Sequence, residues 1–154
     1  MLWQGKFDPY GNPTLSFRIS ADANTQGVEV SAIIDTGFTG FVLLPIQYAL
    51  SLGLTPKSTT RLKLADDSVC IGILADAYVS LDKDNGRFGV ITLERNSKEI
   101  LIGMDFLRQF GLALAVFGTS ITLIDEVKFK TSLQAADASG DPQQQQKQPP
   151  PDSK

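Results

Sequence analysis

The stretch Ala32-Ile33-Ile34-Asp35-Thr36-Gly37-Phe38-Thr39-Gly40-Phe41 sets a carboxylate, a hydroxyl and a glycine at the end of an apolar run. Burial disfavours an ionised carboxylate, so Asp35 at the end of a buried strand needs a specific stabiliser. Gly37 lets the backbone turn sharply and approach that carboxylate closely. Thr36 supplies a hydroxyl that can bond locally or across an interface. Taken alone, Asp-Thr-Gly reads first as an ordinary turn after a strand, because all three residues suit turns. A second segment changes the weighing. Ile100-Leu101-Ile102-Gly103-Met104-Asp105-Phe106-Leu107 is another apolar strand closed by glycine, leading into a short helix for which Asp105 is a natural N-cap.

Outward from these two segments the chain reads as strands. Leu15, Phe17 and Ile19 alternate with polar neighbours, as a half-buried strand does, and the preceding Asp8–Pro13 cluster is a turn pairing it with Leu2–Phe7. Val28, Val30 and Ala32 lead into Ile33-Ile34, and Phe41–Leu44 is a short apolar strand. Ala77, Val79 and Leu81 alternate, as do Phe88 and Val90. Leu112–Phe117 and Ile121–Ile124 flank Gly118-Thr119, a hairpin signal. One helix is expected between Pro45, at a first helical position, and Gly53, at its C-terminal end. A second is expected over Asp105 to Gln109 or Phe110, before Gly111. Many short strands with few helices indicate an all-β sandwich or barrel.

Composition narrows the chemistry. The 154 residues contain no histidine and one cysteine, with a net charge of −3. Ser-His and Cys-His nucleophile pairs are excluded, as is a zinc site of the usual Cys/His kind. The acidic balance and the lack of a basic, aromatic face argue against a nucleic-acid binder. No apolar run reaches the roughly 20 residues of a membrane helix, and the start of the chain has no signal-peptide pattern. A lone Cys70 fits a reducing compartment, so the expectation is a cytoplasmic protein without cofactor or metal. Residues 1–130 form the expected domain. Residues 131–154 are expected as a disordered Gln/Pro-rich tail, with 131–138 open to a short helix or a linker.

Asp35-Thr36-Gly37 after an apolar strand, followed by Leu101-Ile102-Gly103 before a short helix, resembles a retropepsin-like aspartic protease of the single-domain cellular or bacterial type. The likeness covers about residues 5–125. It implies an all-β, closed β-barrel with one or two short helices, forming half of a two-fold symmetric enzyme. Each copy of a homodimer would give one Asp35. Two facing carboxylates share a proton, one acting as base and the other as acid, as the dyad of aspartic proteases does. Thr36 would brace the pair by bonding to the partner's backbone, and the Gly37 amide would donate to the carboxylate. Leu101, Ile102 and Gly103 would pack beneath the active-site loop.

The same resemblance implies a β-hairpin flap over the site, matched by Leu62–Gly72 with Ala65, Asp66, Asp67 and Ser68 at its turn. An ordinary surface hairpin accounts for that pattern as well. Three departures stand out. Phe38 replaces the usual small residue after Asp-Thr-Gly, with Thr39 next to it as a substitute hydroxyl. Met104 replaces the Arg of viral members, and Asp67 stands where many flaps carry glycine. Cys70 reads as packing, Trp3 as an anchor in the core or a dimer interface, and Asp82–Gly86 as a polar turn. The expected function is an endopeptidase acting on peptide or protein substrates. The alternative is a catalytically inactive module of the same fold that binds peptides or dimerises.

Overall fold

The computed structural model describes residues 1–63 and 67–138. Strand β1 (Leu2–Phe7) turns into β2 (Pro13–Ser20) through a loop organised by Asp8, whose Oδ1 accepts the amides of Tyr10 and Asn12 at 2.9 and 2.8 Å. Leu15, Phe17 and Ile19 are fully buried, as their alternation predicts. β3 (Val28–Ile34) runs antiparallel to β2 with Leu15 opposite Ala32, and β4 (Val42–Pro45) follows the Asp-Thr-Gly segment. Helix α1 spans Gln47–Ser51. Gly53 adopts φ +66° just past it, the left-handed conformation that ends helices. Pro45 does not open this helix. It is the last residue of β4, opposite Glu94, and the Ile46 amide extends the ladder by donating to the Glu94 carbonyl at 2.9 Å.

β5 (Pro56–Lys63) and β6 (Val69–Ser80) form a long hairpin, and β7 (Gly86–Glu94) returns antiparallel to β6. In β7 the inward residues are Gly89, Ile91 and Leu93, while Phe88 and Val90 point outward and are exposed. The parity follows from Gly89. A Cβ there would lie 2.2 Å from the Phe41 ring, so the missing side chain leaves space that the ring fills. β8 (Leu101–Ile102) leads into α2 (Met104–Phe110). The N-cap of α2 is Gly103 rather than Asp105, which lies in the first turn and whose Oδ2 accepts instead from the Gln109 side-chain Nε2 at 2.9 Å. Gly111 closes α2 at φ 61° and ψ 47°. β9 (Leu112–Phe117) and β10 (Ser120–Asp125) form the last hairpin.

A third helix, α3 (Glu126–Ala138), crosses position 131, where composition divides the chain. Its start is set locally. Asp125 Oδ1 accepts the Lys128 amide at 2.8 Å as an N-cap does, and Glu126 pairs with Lys130 one turn on. The Gln/Pro-rich segment from 139 lies outside the described residues. Among those described, no helix is long and apolar enough to cross a membrane.

Hydrogen bonding links the strands in the order β5-β6-β7-β4-β8-β3-β2-β1-β10-β9, and a further β2–β6 pairing closes the run from β6 to β2 into a ring. The architecture is all-β with short helices. The core fills the ring, and Phe106 of α2 seals it, with ring centroids 5.5 Å from Phe17 and 5.4 Å from Phe41. In the strand order β5 lies at one end, beside β6, and β10 and β9 lie at the other, beyond β1.

Candidate active site

The short strand β8 lies between β3 and β4, parallel to the first and antiparallel to the second. This insertion delivers Asp35. The Ile33 amide donates to the Ile100 carbonyl at 2.8 Å, and the Asp35 amide to the Ile102 carbonyl at 2.9 Å. Beyond Asp35 the chain turns. The Phe38 amide donates to the Asp35 carbonyl at 3.1 Å, and the Gly37 amide donates to Asp35 Oδ1 at 2.9 Å. The carboxylate is half-buried, and a backbone donor fixes its direction.

Residues 103–105 then clamp the far side of the loop. The amides of Gly103, Met104 and Asp105 donate to the carbonyls of Phe41, Phe38 and Gly40 at 3.2, 2.9 and 3.3 Å. Gly103 sits so close that a Cβ would come within 2.3 Å of the Phe38 oxygen and 2.4 Å of the Gly40 oxygen. Leu101, Ile102 and Gly103 therefore lie against the strand and loop that carry Asp35. Phe38 turns its ring over Gly40, where a Cβ would meet the ring at 2.4 Å.

Asp35, Gly37, Phe38, Thr39, Leu43 and Leu101 line one side of a cleft of about 700 Å³. Arg61, Leu62, Lys63 and Asp67 of the β5–β6 hairpin line the other. Leu62, Lys63 and Asp67 of the segment matched to a flap thus share a cleft with Asp35 and Gly37. Lys63 Nζ and Asp67 Oδ1 pair at 2.6 Å across the hairpin end. Asp67 takes φ 63°, the only positive φ of a non-glycine residue among those described, which Asp tolerates better than most. Of the turn residues, Ala65 and Asp66 lie outside the described residues. Ser68 directly precedes β6. Cys70 is half-buried on the hairpin, opposite Leu62.

Thr36 does not line this cleft. It is exposed and borders a separate groove of about 540 Å³ with Met104, Leu107, Leu112, Leu114 and Phe129. Adjacent residues of one turn therefore face two different cavities. Sequence reasoning missed Leu43 and Arg61 as cleft residues, whereas Lys63 falls within the segment matched to a flap. Continuing the hairpin pairing one residue beyond Leu62, with Arg61 opposite Ile71, could have suggested Arg61.

No protein-family model matches the chain, and none of the curated proteins matches it in sequence. Ten chains of solved structures match in three dimensions. One is the crystal structure of a retropepsin-like aspartic protease from Rickettsia conorii, at a TM-score of 0.56 and 15% sequence identity, covering 80% of this chain and 89% of that one. At that identity the likeness is one of fold. The chain has an all-β architecture like that of a retropepsin-like aspartic protease.

Proposed function

We propose that this chain is half of an aspartic endopeptidase, completed by a second copy that brings its own Asp35 opposite the first. One observation carries the reading: a carboxylate oriented by the Gly37 amide borders a cleft roofed by a hairpin, on a loop held from behind by residues 103–105. Two such carboxylates at close range hold one proton between them. The ionised Asp35 takes a proton from a bound water, and the protonated one polarises the scissile carbonyl. The hairpin excludes water and holds the substrate backbone.

The reading calls for a self-association face, and two features supply one. Strand β9, Leu-Ala-Leu-Ala-Val-Phe, ends the sheet order and has neither charge nor proline to guard its open edge. Val116 and Phe117 are 52% and 71% exposed. The groove beside β9 is bordered by Thr36, one residue from Asp35. A second copy seated there would approach the site loop directly. The acidic balance and the unpaired Cys70 fit a reducing, cytoplasmic setting.

The test is digestion of a peptide library by the wild type and by Asp35→Asn. The expected result is cleavage by the wild type, its loss in the variant, and an unchanged circular dichroism spectrum and unfolding midpoint. Equal cleavage by both would remove the mechanism. Phe38, a bulky ring on the site loop, favours a second reading as a peptide-binding module without hydrolysis. Measurable peptide affinity with no cleavage by the wild type would select it.

A further inference from the structure

The cleft has a charge pattern that the catalytic reading leaves unused. Its roof carries two cations, Arg61 and Lys63. Lys63 is held by Asp67 at 2.6 Å. Arg61 is exposed and makes no ion pair among the described residues. Directly opposed residues of an antiparallel pair share a face. Ile71 and Val69, opposite Arg61 and Lys63, therefore lie on the same face of the hairpin, and they are 69% and 62% exposed. Ile71 borders a separate cavity with Thr59, Cys70 and Ile73, so within the cleft the hairpin contributes apolar Leu62 and the available guanidinium of Arg61. The facing wall, with Leu43 and Leu101, adds apolar surface.

Resting on the endopeptidase reading, we propose that Arg61 is a specificity-determining residue selecting substrates with a carboxylate side chain near the scissile bond, among apolar neighbours. An extended peptide in the cleft points alternate side chains at the roof and at the opposite wall. A Glu or Asp at a roof-facing position meets a planar donor fork that matches a carboxylate in two parallel hydrogen bonds. A two-fold axis through the Asp35 pair places a second Arg61 on the other side of the scissile bond. The preference then recurs on both sides of it.

The experiment compares peptide pairs that differ only by Glu against Gln at one position within three residues of the scissile bond. Wild type, Arg61→Ala, Arg61→Lys and Arg61→Glu are assayed. The wild type should show kcat/KM about tenfold higher for the Glu peptide, as a partly exposed charge-assisted pair allows. Arg61→Ala should bring the ratio near one, Arg61→Lys should keep part of it, and Arg61→Glu should shift preference to a Lys-containing peptide. A wild-type ratio near one, or a ratio unchanged in Arg61→Ala, would overturn the inference. The same pairs titrated against Asp35→Asn by fluorescence anisotropy read the preference without catalysis. Absence of wild-type cleavage would defeat the endopeptidase reading alone, provided Glu peptides still bind about tenfold tighter and lose that margin when Arg61→Ala is added. Equal affinities in that titration would defeat the Arg61 assignment.

Discussion

Gly103→Ala isolates the contact that holds the Asp35 loop. Gly103 has φ −112° and ψ −169°, extended backbone that any residue adopts, so the substitution carries no dihedral strain. Its cost is steric. The new Cβ would lie 2.3 and 2.4 Å from the carbonyl oxygens of Phe38 and Gly40. Reaching an ordinary contact of 3.4 Å requires each to retreat by about 1 Å. Those same oxygens accept the Met104 and Asp105 amides at 2.9 and 3.3 Å, so the retreat disrupts both bonds. Two weakened hydrogen bonds cost about 1–3 kcal/mol, and forced overpacking costs about 1–3 kcal/mol more. The stiffer unfolded chain returns roughly 0.4–1 kcal/mol. The net expectation is a loss of about 3 kcal/mol. With a urea slope of about 1.5 kcal/mol per molar, the midpoint should fall by about 2 M. Urea unfolding followed by circular dichroism measures it. Gly53→Ala is the control, because nothing lies within 4 Å of a Cβ there and only its φ of +66° opposes the change, at about 1 kcal/mol. Should Gly103→Ala unfold within about 0.5 kcal/mol of the wild type, the loop is not clamped at this point.

Two further outcomes rest on particular contacts. Burial pushes the Asp82 carboxyl pKa up, but donors from Asn85, Asp84 and the Trp3 indole together hold it below the ordinary carboxylate value. A lowered folded value means stabilisation that is present above the unfolded value, near 3.9, and lost as pH falls through the folded one. Asp82→Asn should therefore flatten the acid limb of a plot of unfolding temperature against pH, and parallel limbs in variant and wild type would contradict it. At the sheet edge, Val116→Lys puts a charge on exposed β9. Under the proposed pairing of two copies through β9, it should weaken that dimer at least about tenfold by sedimentation velocity while leaving the circular dichroism spectrum unchanged. An unaltered dimer would move the interface elsewhere.

The elements whose signal is local were legible from the residues. Alternation at Leu15, Phe17 and Ile19, the turn residues at Asp8–Asn12, and Gly111 after Phe110 each report the conformation of their own segment. The misread elements depend on something distant. Phe88 and Val90 alternate correctly but face outward, because Gly89 makes room for Phe41, almost fifty residues earlier. Pro45 carries a helix-start signal and lies in a ladder with Glu94 instead. Helix α3, by contrast, is marked locally by Asp125 and the Glu126–Lys130 spacing, and its second half is the short helix that residues 131–138 leave open against a linker. In the site, Asp35, Gly37 and Gly103 could be picked out because their chemistry is unusual at a strand end. Lys63 falls in the segment matched to a flap, whereas Arg61, one residue outside it, joins the cleft only through its place in the hairpin opposite Ile71.

The restraints found on the site loop run through its main chain, joined by the Asp35 carboxylate. Asp35 is directed by the Gly37 amide and anchored by the Ile102 carbonyl, and residues 38–41 are held through their own carbonyls. Apart from Asp35, the side chains of Phe38 and the glycine positions enter these restraints through the room they need. Phe38 illustrates the point. Its ring occupies the position where Gly40 lacks a Cβ, so the large residue two positions upstream is accommodated by the glycine rather than by movement of Asp35. A bulky ring next to Asp-Thr-Gly is therefore compatible with a correctly directed carboxylate. The penalty for enlarging the loop should fall at Gly40 and Gly103, where a Cβ meets atoms that cannot move without shifting the backbone or the Phe38 ring.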